Sequence, residues 1–360
     1  MAIIYKDFEY MNTTLSSMEL MCVDFDSDSD IPMGLNRTIQ KGETNRYRVK
    51  SNHIYTSYDD PLEFEIDIVK SICAESYDQS KMKFTRDEIR QITRWLSSTT
   101  IPQLFNTTNE NDESLNYCGI FTNIESFVVG GDVYGFALTF TNDSPFAYSD
   151  IIKKSFQLNG NVEDTVLNNS DLLDDYIYPV IHIKPKSNTD FYMCNLSDCI
   201  VLDKGNVAVS TDTESMLEAF LTAINTFAQN NRYTVEYYYD EDGYTKVWAN
   251  DTAMRIKLIE KDGTEHFCFA YYNTDGAYEI IEGGFITLKL YADLDIDINC
   301  NLLRIQDSIG RMVHFKNVGL EEEDYIYWLR LLSGYNTLFF YGNDCDVEIE
   351  YRELLKVGAA

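Results

Sequence analysis

The stretch LEFEIDI, residues 62–68, alternates apolar and acidic side chains, and VYGFALTF, residues 133–140, repeats the period of two just after the pair Gly130-Gly131. Such alternation puts one face of an extended chain into a core and the other into water, the pattern of an antiparallel sheet, and the glycine pair supplies a turn. Between the two runs the period changes. In FTRDEIRQITRWL, residues 84–96, Thr85 and Glu88 stand at capping-box spacing and Phe84 and Ile89 at the spacing of a hydrophobic staple. Ile89, Ile92, Trp95 and Leu96 then share one helical face, and the helix ends before Ile101-Pro102. One amphipathic helix packing on a sheet is expected, with the polar, Asn-rich segment Phe105 to Asn116 as a surface loop.

Further along, Tyr176 to Leu202 carries the strand-like runs Ile177 to Ile183 and Cys199 to Leu202, and their partner is expected far downstream. Leu302 to Val357 alternates again, as in Val347-Glu348-Ile349-Glu350-Tyr351, so the two regions can close one sandwich. What lies between has a different grammar. Thr211 and Glu214 form a second capping box, and Met216, Leu217, Phe220, Leu221, Ile224, Phe227 and Ala228 trace a wide apolar stripe. Strand-like runs follow, punctuated by Asp242-Gly243, Asp262-Gly263 and Asp275-Gly276, each a hairpin signal. The expected organisation is therefore three parts: 1–150, 151–205 plus 293–360, and an inserted α+β module, 206–292.

Composition agrees with a mainly β chain. It has 360 residues, 44% of them hydrophobic, with 26 Tyr and 20 Phe but only 6 Pro. That length exceeds the roughly 250–300 residues over which a single core keeps growing. The formal charge of −30, from 59 acidic and 29 basic residues, disfavours binding in a nucleic-acid groove but suits a wall past which DNA slides without sticking. The start, MAIIYKDFEY, lacks the layout of a signal peptide, and no run of about 18 apolar residues occurs, so synthesis in the cytoplasm is expected. Eight scattered cysteines, several inside apolar runs such as His266-Phe267-Cys268-Phe269, read as reduced and buried.

Chemical motifs are sparse. Asp26-Ser27-Asp28-Ser29-Asp30 opens like a calcium loop, but Ile31 and Arg37 stand where such a loop needs Gly and Glu. Cys194 and Cys199 have no second pair or neighbouring His to complete a zinc set, and the histidines at 53, 182, 266 and 314 accompany no hydrolase, metalloprotease or phosphate-loop motif. No enzyme activity, cofactor or metal is expected. The one candidate site lies in the module: Tyr238 and Trp248 on paired strands, with Lys246 beside Trp248 and with Tyr272 and His266 extending the surface. Exposed rings beside polar groups suit stacking on sugars, so cell-wall carbohydrate is the candidate ligand; packing of these rings on a neighbouring domain or subunit is the competing reading.

Four passages in order, RTIQKGETNRYRVK (37–50), YDDPLEF (58–64), FTRDEIRQITRWL (84–96) and YCGIF (117–121) leading into VYGFALTFTNDSPFAYS (133–149), resemble phage distal tail proteins. WLRLLSGYNTLFFYGNDCDVEIEYRELLKVG, residues 328–358, resembles the closing strands of the same family, whereas the insertion has no counterpart in the resemblance. The resemblance implies an N-terminal β-sandwich belt domain with one α-helix and a protruding hairpin, and a C-terminal galectin-like β-sandwich interrupted by the inserted module. It also implies a homo-hexameric ring in the tail tip of the virion, joined to the tail tube protein and the tail-associated hub protein, with the tape measure and receptor-binding proteins as further partners. DNA would pass through the lumen without specific binding, along a ring carrying about −180 formal charges. The alternative function is a carbohydrate-binding adhesin that recognises the host cell wall through the module.

Overall fold

A computed structural model describes residues 5–23, 38–41, 54–57, 61–73, 78, 81–109, 114–173, 175–209, 213–237, 247–248, 253–272, 275–292, 294–320 and 326–356. The fold is mainly β, with two α-helices among the described residues. It divides into two compact units: Met1–Asp150 with Leu354–Ala360, and Ile151–Glu353.

The first unit holds β1 (Tyr5–Tyr10), β2 (Thr13–Thr14), β3 (Leu20–Val23), β4 (Thr38–Lys41), β5 (Ile54–Ser57), β6 (Glu63–Lys70), β7 (Gln103–Asn109), β8 (Ser114–Val129), β9 (Asp132–Asn142) and β10 (Ala147–Tyr148). Its main sheet runs β2-β1-β7-β8-β9-β6-β3, and β10 bridges β8 to the C-terminal strand Leu354–Leu355. The alternation read in the sequence becomes packing. Ile66 and Ile68 on β6 and Phe136, Leu138 and Phe140 on β9 are buried in a core rich in aromatics, where Phe105 and Phe140 stack with centroids 4.4 Å apart. Helix α1 (Arg86–Ser97) begins with the expected capping box: the Glu88 amide donates to Thr85 Oγ1, and the Thr85 amide donates to the Glu88 carboxylate at 2.6 Å. Its face buries Ile92 and Leu96, while Trp95 stacks on Phe8 and donates from Nε1 to the Tyr10 carbonyl at 2.9 Å.

The segment Phe105 to Asn116, expected as a loop, is instead largely β7 and the start of β8. Phe105, Thr107 and Asn116 are buried, and Asn106 donates to the Asn116 side chain at 2.9 Å. The polar residues are tolerated because their amides pair with each other across the strands. Gly130 and Gly131, at φ 62° and 92°, make the tight β8–β9 turn, in a left-handed region where other residues are strained.

The second unit contains β11 (Ile152–Asn168), β12 (Tyr176–Ile177), β13 (Val180–Pro185), β14 (Thr189–Asn195), β15 (Ile200–Asn206), α2 (Thr213–Asn231), β16 (Thr234–Tyr237), β17 (Val247–Trp248), β18 (Ala253–Ile259), β19 (Glu265–Tyr272), β20 (Ala277–Glu282), β21 (Phe285–Leu290), β22 (Ile296–Asn299), β23 (Arg304–Asp307), β24 (Leu331–Leu332) and β25 (Gly334–Tyr351). The expected long-range pairing is present. β25 pairs with β11 along its length and, on its other edge, with β13 and β14, in a sheet ordered β21-β14-β25-β13-β22-β23. Where β25 begins, Gly334 sits at φ 92° and the buried Asn336 accepts from the Leu332 amide at 2.8 Å while donating to the Leu332 carbonyl at 2.7 Å. The Asn195 side chain joins this network through Asn336 at 2.9 Å and the Arg330 carbonyl at 2.7 Å.

A second sheet in this unit, ordered β15-β20-β19-β18-β16 with β17 on β18, carries α2 on one face. Met216, Phe220, Ile224 and Ala228 of α2 are buried against Met254, Ile256, Leu258, Cys268 and Ala270, as the 3–4 spacing requires. Asp262-Gly263 and Asp275-Gly276 lie at the β18–β19 and β19–β20 turns; Asp242-Gly243 and the stretch 26–30 lie outside the described residues. Strand Ile200–Asn206, read from sequence with the sandwich, pairs instead with β20 in this sheet. The opposite face is covered at β19 and β20. Phe269 stacks on Tyr192 of β14 at 3.8 Å and 8°, Tyr271 lies 5.6 Å from Phe339 of β25 at 20°, and Cys194, Ile281, Phe285 and Tyr341 complete a joint core.

Candidate functional surfaces

Of the four residues expected to bind carbohydrate, the structure describes the backbone of Trp248 and the whole of Tyr272. Tyr238 and Lys246 lie outside the described residues. Trp248 ends β17, its backbone opposite Ala253. Tyr272 is only 4% exposed: it shares the helix-facing side of β19 with Cys268 and Ala270 and meets Phe220 edge-on at 4.9 Å. Strand parity decides this, because residues 268, 270 and 272 point to the same side, and α2 covers that side.

His266 lies on the same side at the β18–β19 end. Its Nδ1 is 2.8 Å from the Glu282 carboxylate and its Nε2 is 3.0 Å from that of Glu260. The hydrogen bond with Glu282, followed by that with Glu260, holds its pKa above the ordinary histidine value. The Tyr233 ring packs edge-on against it at 5.7 Å. This imidazole fastens the loop between β18 and β19 to β20 and is engaged at both nitrogens.

Two surfaces were not singled out from the sequence. At the β8–β9 tip, Val128 and Val129 are 56% and 68% exposed beside the exposed Tyr134, while Phe127 lies over Gly135, where a Cβ would come within 3.0 Å of its ring. Isolated exposed apolar side chains are ordinary, whereas here three lie together at the end of a long hairpin. The second surface surrounds Arg330. Its guanidinium binds Asp198 through Nε at 2.6 Å and Nη2 at 2.9 Å and lies 4.5 Å from the Tyr176 ring centroid. The Tyr327 hydroxyl also donates to Asp198. Burial first, then this bond to a carboxylate, raises the Tyr327 pKa. The arrangement clamps the turn at 195–199 to the segment before β24, with the rings of Tyr176 and Tyr178 at its rim, and it draws on residues more than a hundred positions apart, so no local signal announces it.

The thiols follow the apolar runs only in part. All eight cysteines are free, but only Cys194, Cys268, Cys300 and Cys345 are buried; Cys22, Cys118 and Cys199 are half-buried and Cys73 is exposed. Burial pushes Cys268, Cys300 and Cys345 up to about 12, far from the thiolate form needed for nucleophilic or metal chemistry. In the first unit a cavity of about 290 Å³ is lined by Lys70, Phe84, Glu88 and Gln91 among others. The Lys70 ammonium there donates to the Lys81 and Lys83 carbonyls at 3.1 and 3.2 Å and to Glu88 at 2.7 Å, so it serves the start of α1.

Residues 3–144 match a family model described as the phage tail protein N-terminal domain, and these residues include the main passages that carried the resemblance. No curated protein matches the chain. Among solved structures, the chain is similar to the Dit protein of SPP1, described as a paradigm of the hub adsorption apparatus in phages infecting Gram-positive hosts; identity is 13%, coverage 96% of this chain and 98% of that one, and the TM-score 0.45. A chain of the phage P2 baseplate, in its activated conformation with Ca, is similar at 7% identity, with 99% of each chain covered and a TM-score of 0.38. Residues 3–144 thus match a phage tail protein N-terminal domain, within a chain whose described residues fold mainly as β-strands.

Proposed function

We propose that the chain is a structural component of the phage tail tip that assembles as a ring of six copies, continues the tail tube through its first unit and holds the hub and adhesion apparatus. The match of residues 3–144 to a phage tail domain carries this reading. The long β8–β9 hairpin supports it, since a tip of exposed Val128, Val129 and Tyr134 is a surface that a closed assembly would cover. The formal charge of −30 per copy fits a lumen along which DNA slides. The role is one of assembly rather than turnover, with tube and hub proteins as partners and the module 206–292 as an appendage of the second unit.

Mass measurement by light scattering on the full-length protein, followed by negative-stain imaging, tests this directly. Rings with a central pore are expected, alone or on addition of tube and hub proteins. A strict monomer under all these conditions that binds host wall polysaccharide would replace the scaffold by an adhesin.

A further inference from the structure

A row of polar side chains crosses four strands on the outer face of the β25 sheet. The register sets Ser155 opposite Glu348, Glu348 opposite His182, and His182 opposite Asp297, with Lys153 opposite Glu350 one step along the same face. Side chains at such positions touch because directly opposed Cβ atoms are about 5 Å apart. The ligand atoms of His182, Glu348 and Glu350 all lie within 4.8 Å of one another, the one such group among the described residues.

We propose that His182, Glu348 and Glu350 form a surface site for a divalent transition cation, zinc by ligand type, and that Lys153 is the built-in cation it displaces.

Three features of geometry carry this. First, two ligands at zinc–ligand distances of about 2.1 Å and tetrahedral angles stand about 3.4 Å apart. His182 Nε2 and Glu350 Oε2 are 3.6 Å apart already, and the Glu348 carboxylate lies within 4.8 Å of both. Second, the imidazole is aimed. Its Nδ1 is 2.6 Å from Asp297 Oδ1, which leaves Nε2 facing the glutamates, the carboxylate–histidine arrangement that fixes ring orientation in metal sites. Third, the place is shown to suit a cation: Lys153 Nζ sits 3.0 Å from Glu348 and 2.8 Å from Glu350. The Lys153 side chain is half exposed and can leave for solvent, whereas those of His182, Glu348 and Glu350 are more enclosed, at 29%, 35% and 26% exposed.

One imidazole with two carboxylates selects a borderline ion such as zinc over calcium or magnesium, which prefer sets built wholly of oxygen. Two ionised glutamates balance its charge. The bound ion would tie β13 to β25 and so stiffen the sheet from which the rest of the second unit is built. The residues come from positions 153 to 350, which is why a reading by local spacing finds no metal motif.

Calorimetric titration of zinc chloride into full-length, chelator-treated protein, in a non-coordinating buffer with a phosphine reductant, tests the site. One zinc per chain is expected. His182→Ala and the double change Glu348→Gln, Glu350→Gln should each weaken binding at least tenfold, Asp297→Asn roughly tenfold through loss of ring orientation, and Lys153→Ala should strengthen it several-fold. His266→Ala, which alters the other histidine held by two glutamates, should leave the affinity unchanged. The melting temperature without zinc separates a lost ligand from a lost fold: each variant at the site should melt with the wild type in chelator and differ only in the rise that zinc produces, whereas His266→Ala should keep the wild-type rise. No binding by wild type and Lys153→Ala up to about 1 mM zinc, or binding that His182→Ala leaves intact, overturns the proposal.

Discussion

Replacing Phe269 by alanine removes the ring that joins the β15–β20 sheet to the β25 sheet. Phe269 is fully buried, stacked on Tyr192 at 3.8 Å and 5.6 Å from Phe285. Burying a ring of this size removes about 150–250 Å² from water, which at about 25 cal/mol per Å² corresponds to roughly 4–6 kcal/mol, part of which alanine retains. Phe→Ala changes in cores cost about 3–5 kcal/mol. For a unit of this size each kcal/mol shifts melting by roughly 2–4 °C, so a fall of about 6–20 °C is expected by scanning calorimetry. The joint core predicts more than a shift. If Tyr192, Phe269, Tyr271 and Phe339 make the two sheets cooperative, the variant should melt in two steps, the β15–β20 sheet separating from the β25 sheet. Phe267→Ala, on the same face but only partly buried, serves as the control and should cost far less. A loss below about 1 kcal/mol for Phe269→Ala, or a transition that stays single and merely shifts, would refute the coupling.

Gly119→Val should abolish soluble expression, because a Cβ there would sit 2.2 Å from the Thr141 carbonyl oxygen in the neighbouring strand. Asn142→Ala should destabilise the first unit by about 2–3 kcal/mol in urea, since its buried side chain accepts from the Cys118 amide and donates to the Ser144 and Phe146 carbonyls. Val128→Asp with Val129→Asp should leave the melting temperature within about 2 °C of wild type yet block ring formation in light scattering. His266 has a folded pKa above its unfolded 6.5, so the stability it contributes is full below that value and fades as pH rises through the folded one. His266→Gln should therefore flatten the fall in stability of the second unit above pH 6.5, and an unchanged pH profile would count against the Glu260–His266–Glu282 bridge.

Local chemistry was legible in the sequence. Thr85 and Glu88 announced α1 because a capping box is completed within four residues, and Gly130-Gly131 announced the hairpin because its turn demands a left-handed backbone. The strand at 103–109 was not, since the pairing of Asn106 with Asn116 hides a polar run inside a sheet. The side of Tyr272 was also hidden. A strand covered on both faces reads as continuous apolar sequence, and in HFCFAYY neither parity is polar, so the direction of each ring follows only from where α2 and β14 lie. The Arg330 clamp and the His182 row depend on register between β11, β13, β22 and β25, which no window of sequence contains.

That double coverage also limits how the insertion works. With α2 on one face and Tyr192, Phe285 and Phe339 against β19 and β20 on the other, the middle of the sheet is packed on both sides, while Thr234 and Glu236 of β16 stay exposed on the outer face. A flat sugar platform on its strands would have to compete with one of these cores, and Tyr272 shows which wins. Recognition by the module then falls to the β16 end of that face, to its edges or to its connecting loops, held by a sheet whose Phe269 stacks on Tyr192 of β14. A ligand bound there would pull on β14, which pairs with β25, and so on the sheet that carries the proposed cation site. If the ring forms, load taken up at the module passes along paired strands rather than through a hinge. Loosening the stack with Phe269→Leu should then weaken attachment to host cells under flow while rings still form in negative stain, and equal attachment by both proteins would show that the joint bears no load.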